Sequence, residues 1–368
     1  MKVAVKLGPI GEGPHIDTSG QLVTDSAGTR LVSRLLRLYP EAVVVGPEPR
    51  TGPGLQVVTL EDLDPTSTLL VNMEPLDSVA CFQVLHRHLD EPRILNLVWT
   101  NPSSFHHPVN FAALGLSFAM FPTYCNSERT AGEVREVVQH WTAPHLASQA
   151  RIDWTNLGVN VERASTRRPT DVPVVLYPAI TLERRKRPGL FMDVVRRVAR
   201  QVPLRAEARL QEQHLTSTAA MDMTRDKWMW VGPLTTRDGY WDALSRTTAF
   251  LATAAQESYG LEYVEAMLEG VIGILPDTGW ARALVPERYP YLYDSPAVAE
   301  QLLLEALRDP EACRRELDAC VGGSFTAWIA ARHNDDDFEH AFTTRVTEWF
   351  GAGAATHEPI VHHRERLT

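Results

Sequence analysis

The sequence predicts an α/β protein of two domains, each a parallel sheet covered by helices, and three observations carry that expectation. At 368 residues the chain favours two domains over one, and each half is long enough to bury its own core. Short β-branched runs alternate with longer helical patterns, as parallel strands joined by crossover helices require. The alternation breaks once, at the polar stretch Ser165 to Asp171 that carries Pro169, and then restarts.

The first half opens with a strand over Val3–Val5, then a Gly- and Pro-rich loop from Gly8 to Gly20. Ser26-Ala27-Gly28-Thr29 leads into a helix with Leu31, Leu35 and Leu38 on one face. Strands are expected at 42–45, 69–72 and 94–99, the last running into the polar loop Thr100 to His107, and a helix at 131–141. After the break, strands fit 174–177, 228–231, 249–251 and 272–275. Helices fit 191–200, 240–245, 260–268, 297–308, 311–320 and 336–350. Trp228-Met229-Trp230 reads as core, and the tail beyond Gly351 as loosely ordered. The expected domains are 1–168 and 169–332, followed by a C-terminal helix within 333–350 and a tail, 351–368. No internal repeat of 20–50 residues is present.

The composition, 44% hydrophobic and 22% charged, is that of a globular protein. Lys+Arg total 36 against 46 Asp+Glu, a net charge of −10, which opposes broad electrostatic capture of nucleic acid or anionic membrane. No window approaches the ~18 consecutive apolar residues of a spanning helix, and the start lacks the apolar run of a signal peptide. Cys81, Cys125, Cys313 and Cys320 form no CxxC pair and have no His at zinc-ligand spacing. They read as buried or incidental thiols of a cytoplasmic protein. Asn334-Asp335-Asp336-Asp337 fits an acidic helix start better than a metal site.

The chemistry concentrates between Phe250 and Pro276. This stretch reads as a strand, a tight turn at Gly260, and a helix whose first turn offers backbone N–H groups to an anion. A diphosphate docked there would gather negative charge as it leaves a sugar. Glu257 would precede the helix and Glu265 would lie about two turns along it. That separation suits one carboxylate near a sugar ring and one near a nucleoside ribose, because each accepts two hydroxyl hydrogen bonds. Two ordinary surface glutamates, one stabilising a helix start, are the plainer alternative.

The string Glu257-Ser-Tyr259-Gly260-Leu261-Glu-Tyr-Val-Glu265-Ala-Met267-Leu-Glu-Gly270 closely resembles the pattern E-x-F-G-x-x-x-x-E-A-M-x-x-G of the retaining GT-B glycosyltransferases of family four, with Tyr in place of Phe. Tyr124 to Glu128 resembles that family's Ser-Glu step late in the first domain, and Thr155 to Asn160 its P-N-G-V-D turn before the interdomain linker. Asp309-Pro310 and the region of Trp328 resemble its ending. The resemblance runs from roughly Pro122 onward. It implies a GT-B architecture, two Rossmann-like domains facing across a cleft with the C-terminal helix crossing back to the first. It also implies sugar transfer from a nucleotide-diphosphate sugar with retention at the anomeric carbon, without metal or cofactor. The family places an Arg and a Lys, roughly G-R-x-x-x-x-K-G, after the first strand of the second domain to grip the diphosphate. Here Tyr177-Pro178 occupies the Gly-Arg step, so the cation must come from Arg184, Arg185, Lys186 or Arg187, with Arg184 and Lys186 favoured among them; a solvated, exposed loop is an equal alternative.

By the same resemblance Tyr259, Gly260 and Leu261 would surround the donor, and His106 or His107, not separable, would stand beside its sugar. Adjacent loop histidines are also often simply solvated. The loop bearing Gly11 and Gly13, with Gly28 at the following helix start, would face the acceptor; it lacks the spacing of a phosphate-binding loop and also reads as a surface turn. Arg282-Ala283 departs from a Gly-Gly-x-x-Glu often found there. Three rivals stand beside the transferase reading: a sugar-nucleotide epimerase of the same fold, a non-catalytic sugar-nucleotide binder, and transfer to a modified DNA base. No motif names the nucleotide, sugar, acceptor or oligomeric state.

Overall fold

The computed structural model describes residues 1–24, 26–86 and 91–351, in two compact units: Met1–Leu157 with the segment from Asp336, and Gly158–Asp335. The tail expected to be loosely ordered lies, beyond Gly351, outside the described residues. Among the described residues no helix is long and apolar enough to cross a membrane.

The first unit is built on an eight-stranded sheet. Its strands are β1 (Lys2–Lys6), β2 (Val43–Val45), β3 (Arg50–Gly52), β4 (Leu55–Val58), β5 (Thr68–Asn72), β6 (Arg93–Val98), β7 (Thr123–Cys125) and β8 (Ile152–Trp154), in the order β3-β4-β2-β1-β5-β6-β7-β8. All pairs are parallel except the β3–β4 hairpin. The central strands are buried along most of their length, as sheets covered on both faces must be. The helix Ala27–Leu38 begins where Ser26 and Thr29 cap each other, and it buries Leu31, Val32, Leu35 and Leu38. Ser127 caps the helix Glu128–Trp141 by accepting from the Thr130 amide.

The last helix, Asp335–Phe350, buries Phe338, Phe342 and Val346. Tyr124 of β7 meets Phe342 and Phe338 edge-on, at 5.2 and 5.9 Å between centroids. Arg34 adds an ion pair to Glu339 (2.8 Å) and donates to the Leu157 carbonyl (2.8 Å).

The second unit has six parallel strands: β9 (Val174–Tyr177), β10 (Arg205–Leu210), β11 (Met229–Pro233), β12 (Ala249–Leu251), β13 (Ile272–Pro276) and β14 (Leu292–Tyr293). Their order is β11-β10-β9-β12-β13-β14, so the chain runs outward from β9 and then returns to β9's other side at β12. In such sheets the carboxyl ends of the two strands at the reversal open a crevice, because the connections leave in opposite directions. Of the aromatic trio expected in the core, Met229 is buried and Trp228 half-buried, but Trp230 is 36% exposed. Strand β11 is the sheet's edge, and the Trp230 ring lies under the Arg209 guanidinium (4.8 Å) at the surface.

Phe342→Ala should cost the first unit ~3–5 kcal/mol, because the cavity forms among aromatic rings that cannot collapse onto it. Urea denaturation followed by tyrosine and tryptophan fluorescence would register the loss.

Candidate functional site

The reversal between β9 and β12 brings two loops together. The loop after β9 carries Arg184–Lys186 in one turn of 3₁₀ helix and ends at Arg187, in the left-handed conformation (φ 49°), before the helix Pro188–Ala199. The loop after β12 carries Thr253 to Gly260. Three contacts weld them: the Ala255 amide donates to the Arg185 carbonyl (2.8 Å), the Thr253 hydroxyl to the Lys186 carbonyl (2.8 Å), and the Lys186 ammonium to Glu257 Oε1. Of the four cations, Lys186 is the buried one (7% exposed); Arg184, Arg185 and Arg187 are exposed, and Arg185 pairs with Glu183.

Glu257 is 6% exposed, so it is not the ordinary surface group of the plainer alternative. The Tyr263 hydroxyl also donates to its Oε1, at 2.7 Å. Burial pushes the Glu257 carboxyl above its ordinary range, while the Lys186 ammonium and the Tyr263 hydroxyl pull the other way. Tyr177, at the step where Gly-Arg was expected, packs edge-on against Phe191 (5.0 Å) and donates to the Thr181 carbonyl (3.0 Å).

Gly260 opens the helix Leu261–Leu268 with φ 88°, a left-handed conformation that a side chain disfavours. A Cβ there would also lie 2.5 Å from the Tyr263 ring. Leu261 and Glu262, half-buried, form the first turn, whose amides have no intrahelical acceptor by the geometry of an α-helix. Because the helix begins at Leu261, Glu265 stands about one turn into it, not two. Its carboxylate is 6% exposed and takes both terminal nitrogens of Arg237, at the start of the helix Arg237–Arg246. Burial pushes its carboxyl above the ordinary range despite that partner. The Arg237 guanidinium also lies over the rings of Tyr240 and Trp241, at 5.3 and 5.4 Å. Neither Arg237 nor Tyr263 was singled out from sequence. Tyr263 sits inside the motif at an unspecified position, and Arg237 is 28 residues before Glu265, brought to it by the connection after β11.

The Tyr259 hydroxyl is occupied by Gly158 and His333 (3.2 and 2.6 Å). Arg282 pairs with Asp277 (2.5 Å). In the first unit, the corresponding reversal lies between β1 and β5. Buried Lys6, ending β1, pairs with Asp77 (2.7 Å) and reaches the Gly8 carbonyl (2.5 Å); Asp77 in turn accepts from the Ile10 amide (2.8 Å). These bonds anchor the base of the loop that carries Gly11 and Gly13. Gly28 packs against Leu7 and Trp99, where a Cβ would come within 2.9 Å of each. His106 and His107 are exposed at the carboxyl end of β6, and His107 Nδ1 caps the helix Pro108–Met120 by accepting from the Val109 amide (3.3 Å).

No family model and no curated protein matches the sequence. Solved structures do match the fold. HepE of Anabaena, in complex with UDP and glucose, is similar over 95% of this chain and 100% of its own, with TM-score 0.64 and 14% identity. Sucrose-phosphate synthase from Thermosynechococcus elongatus covers 95% of this chain and 99% of its own, at TM-score 0.60 and 14% identity. A UDP-forming α,α-trehalose-phosphate synthase from Burkholderia xenovorans covers 93% and 98%, at TM-score 0.65 and 10% identity. The chain thus has the GT-B fold, with two Rossmann-like parallel-sheet domains.

Lys186→Met should destabilise the protein by ~3–5 kcal/mol, since it leaves the Glu257 charge buried without its cation. Adding Glu257→Gln should recover most of that loss in urea melts. In the single variant the carboxyl's folded pKa stands further above its unfolded value, so the folded state takes up a proton there. Its deficit against wild type should therefore shrink as pH falls from 7 toward 5.

Proposed function

We propose that the protein is a glycosyltransferase that moves a hexosyl or pentosyl unit from a nucleotide-diphosphate sugar to an acceptor hydroxyl, with retention of configuration and without metal or cofactor. The observation that carries this reading is the convergence of Lys186, Glu257 and the Gly260 helix start at the strand reversal of the second unit. The likeness to HepE in complex with UDP and glucose, and to a UDP-forming synthase, makes UDP-sugars the first donors to try.

In this mechanism the diphosphate lies against the amides of Gly260 and Leu261. Lys186 serves two anions: an ammonium has three donors, so one can hold Glu257 while others reach phosphate oxygens. Arg184, exposed on the same loop, is the second cation. Glu257 receives a sugar hydroxyl on its carboxylate. Glu265 receives the ribose hydroxyls on the lone pairs that Arg237 leaves available, since a carboxylate has about four acceptor sites. The bond from the anomeric carbon to the diphosphate breaks as the acceptor oxygen attacks on the same face. The acceptor's proton passes to the leaving phosphate oxygen, and the nucleoside diphosphate departs. The acceptor's site is assigned to the first domain, beside the loop of Gly11 and Gly13.

A melting series with UDP-, GDP-, ADP- and dTDP-sugars tests the donor: the right one at ~100 Kd should add ~2.7 kcal/mol of stability. Glu265→Ala should weaken donor binding, and Glu257→Ala should lower turnover by ~10²-fold or more. Product NMR should show the donor's anomeric configuration kept; sugar isomerisation without any acceptor, or binding without turnover, would defeat the proposal.

A further inference from the structure

The hydroxyl that separates Tyr259 from the Phe of the motif pattern has a defined set of partners. It lies 2.6 Å from His333 Nδ1 and accepts from the Gly158 amide at 3.2 Å, while His333 Nε2 lies 3.0 Å from the Leu284 carbonyl. A carbonyl only accepts, so Nε2 carries the proton, Nδ1 is the bare acceptor, and the phenol donates to it. One neutral tautomer thus satisfies every bond of the relay. His333 is fully buried, and burial pushes its ionisation down to about 4, which keeps it neutral at physiological pH.

The relay ends where the chain changes units. The backbone leaves the first unit between Leu157 and Gly158 and returns to it between Asp335 and Asp336. Just inside the second unit these two segments pair: the Val159 amide donates to the His333 carbonyl (2.8 Å), and the Asp335 amide to the Val159 carbonyl (3.1 Å). Gly158 has φ 68°, and a Cβ on it would lie 2.5 Å from the Asn334 backbone, so the two segments are in close contact. At the other end, Tyr259 adjoins Gly260, and the Leu284 side chain lies 3.4 Å from where a Gly260 Cβ would be.

We infer that His333 is a positioning residue for the Gly260 turn, acting through the Tyr259 hydroxyl, and that occupancy of the turn is thereby transmitted to the paired segments where the chain passes between units. This rests on the turn being the diphosphate site of the proposed transferase. A merely structural pair would stabilise the fold equally with and without ligand. A transmitting pair makes the segments respond to it.

The test uses the full chain with UDP as probe and amide hydrogen exchange at Gly158, Val159 and Asp335 as readout. In the wild type, saturating UDP should slow these amides by ~10-fold or more, within the usual range of coupling between sites. Tyr259→Phe keeps the ring and its packing; it should bind UDP by calorimetry, ~10-fold more weakly, yet show no slowing at saturation. His333→Ala should behave likewise. His333→Gln, whose amide oxygen can accept from the phenol, should restore part of the response. Equal slowing in Tyr259→Phe, or no slowing in a wild type that binds UDP, would overturn the inference alone. A wild type that binds no UDP in calorimetry would overturn UDP as donor and this inference with it.

Discussion

The buried ion pair between Lys186 and Glu257 is the constraint on which the second unit's site depends. An ammonium and a carboxylate removed from water each carry a desolvation cost of several kcal/mol, which is offset only by close mutual contact and further hydrogen bonds. Here Tyr263 supplies one such bond, and the Thr253 and Ala255 contacts to the lysine loop's carbonyls fix the geometry. Replacing the pair with apolar side chains would hold the loops together as well or better. It would not leave an ammonium with unused donors beside a helix start. The first unit has a parallel arrangement, in which Lys6 at the end of β1 pairs with Asp77 beyond β5, across its own strand reversal. In both sheets a lysine following or ending the first strand is tied to an acid beyond the neighbouring strand. Each tie shapes a loop at the carboxyl edge of its sheet.

The sequence is most legible where a local pattern and the candidate site coincide. The strand, turn and helix from Ala249 to Leu268 lie where their apolar runs and Gly260 predict, because the buried Ala-Phe-Leu run on one side and a left-handed glycine on the other admit few alternatives. The fold class followed from the same alternation. Other elements were hidden by their composition. The helix Pro108–Met120 contains no charged residue and so no amphipathic period, and β10 (Arg205–Leu210) interleaves Arg and Glu with its buried Ala and Leu. The site was only half legible. Glu257, Gly260 and Glu265 belong to a local string, but the choice of Lys186 among four adjacent cations depends on which one the 3₁₀ turn points inward. Arg237 reaches Glu265 only through the order of the strands, which no local pattern encodes. Trp230 shows the reverse error: an aromatic-rich run suggested core, but an edge strand leaves one of its faces near solvent.

In the proposed transferase, charge balance around the helix start would let acids and an anionic donor share one site. Glu257, Glu262 and Glu265 lie close enough that the Glu262 charge disfavours ionisation of both buried neighbours. Left unpaired, three carboxylates would repel a diphosphate by several kcal/mol at the low effective dielectric of a buried site. The structure instead gives each buried acid its own cation, Lys186 for Glu257 and Arg237 for Glu265, and leaves Glu262 half-exposed, where water screens it. Once the acids are neutralised in place, what remains toward an incoming phosphate is the positive end of the helix, the unused donors of Lys186 and the exposed arginines of its loop. Under the proposed function the carboxylates would then act through their lone pairs rather than their charge, as acceptors for hydroxyl groups. A sugar and a ribose joined by a diphosphate present those groups in that order, with hydroxyls at both ends and negative charge between them.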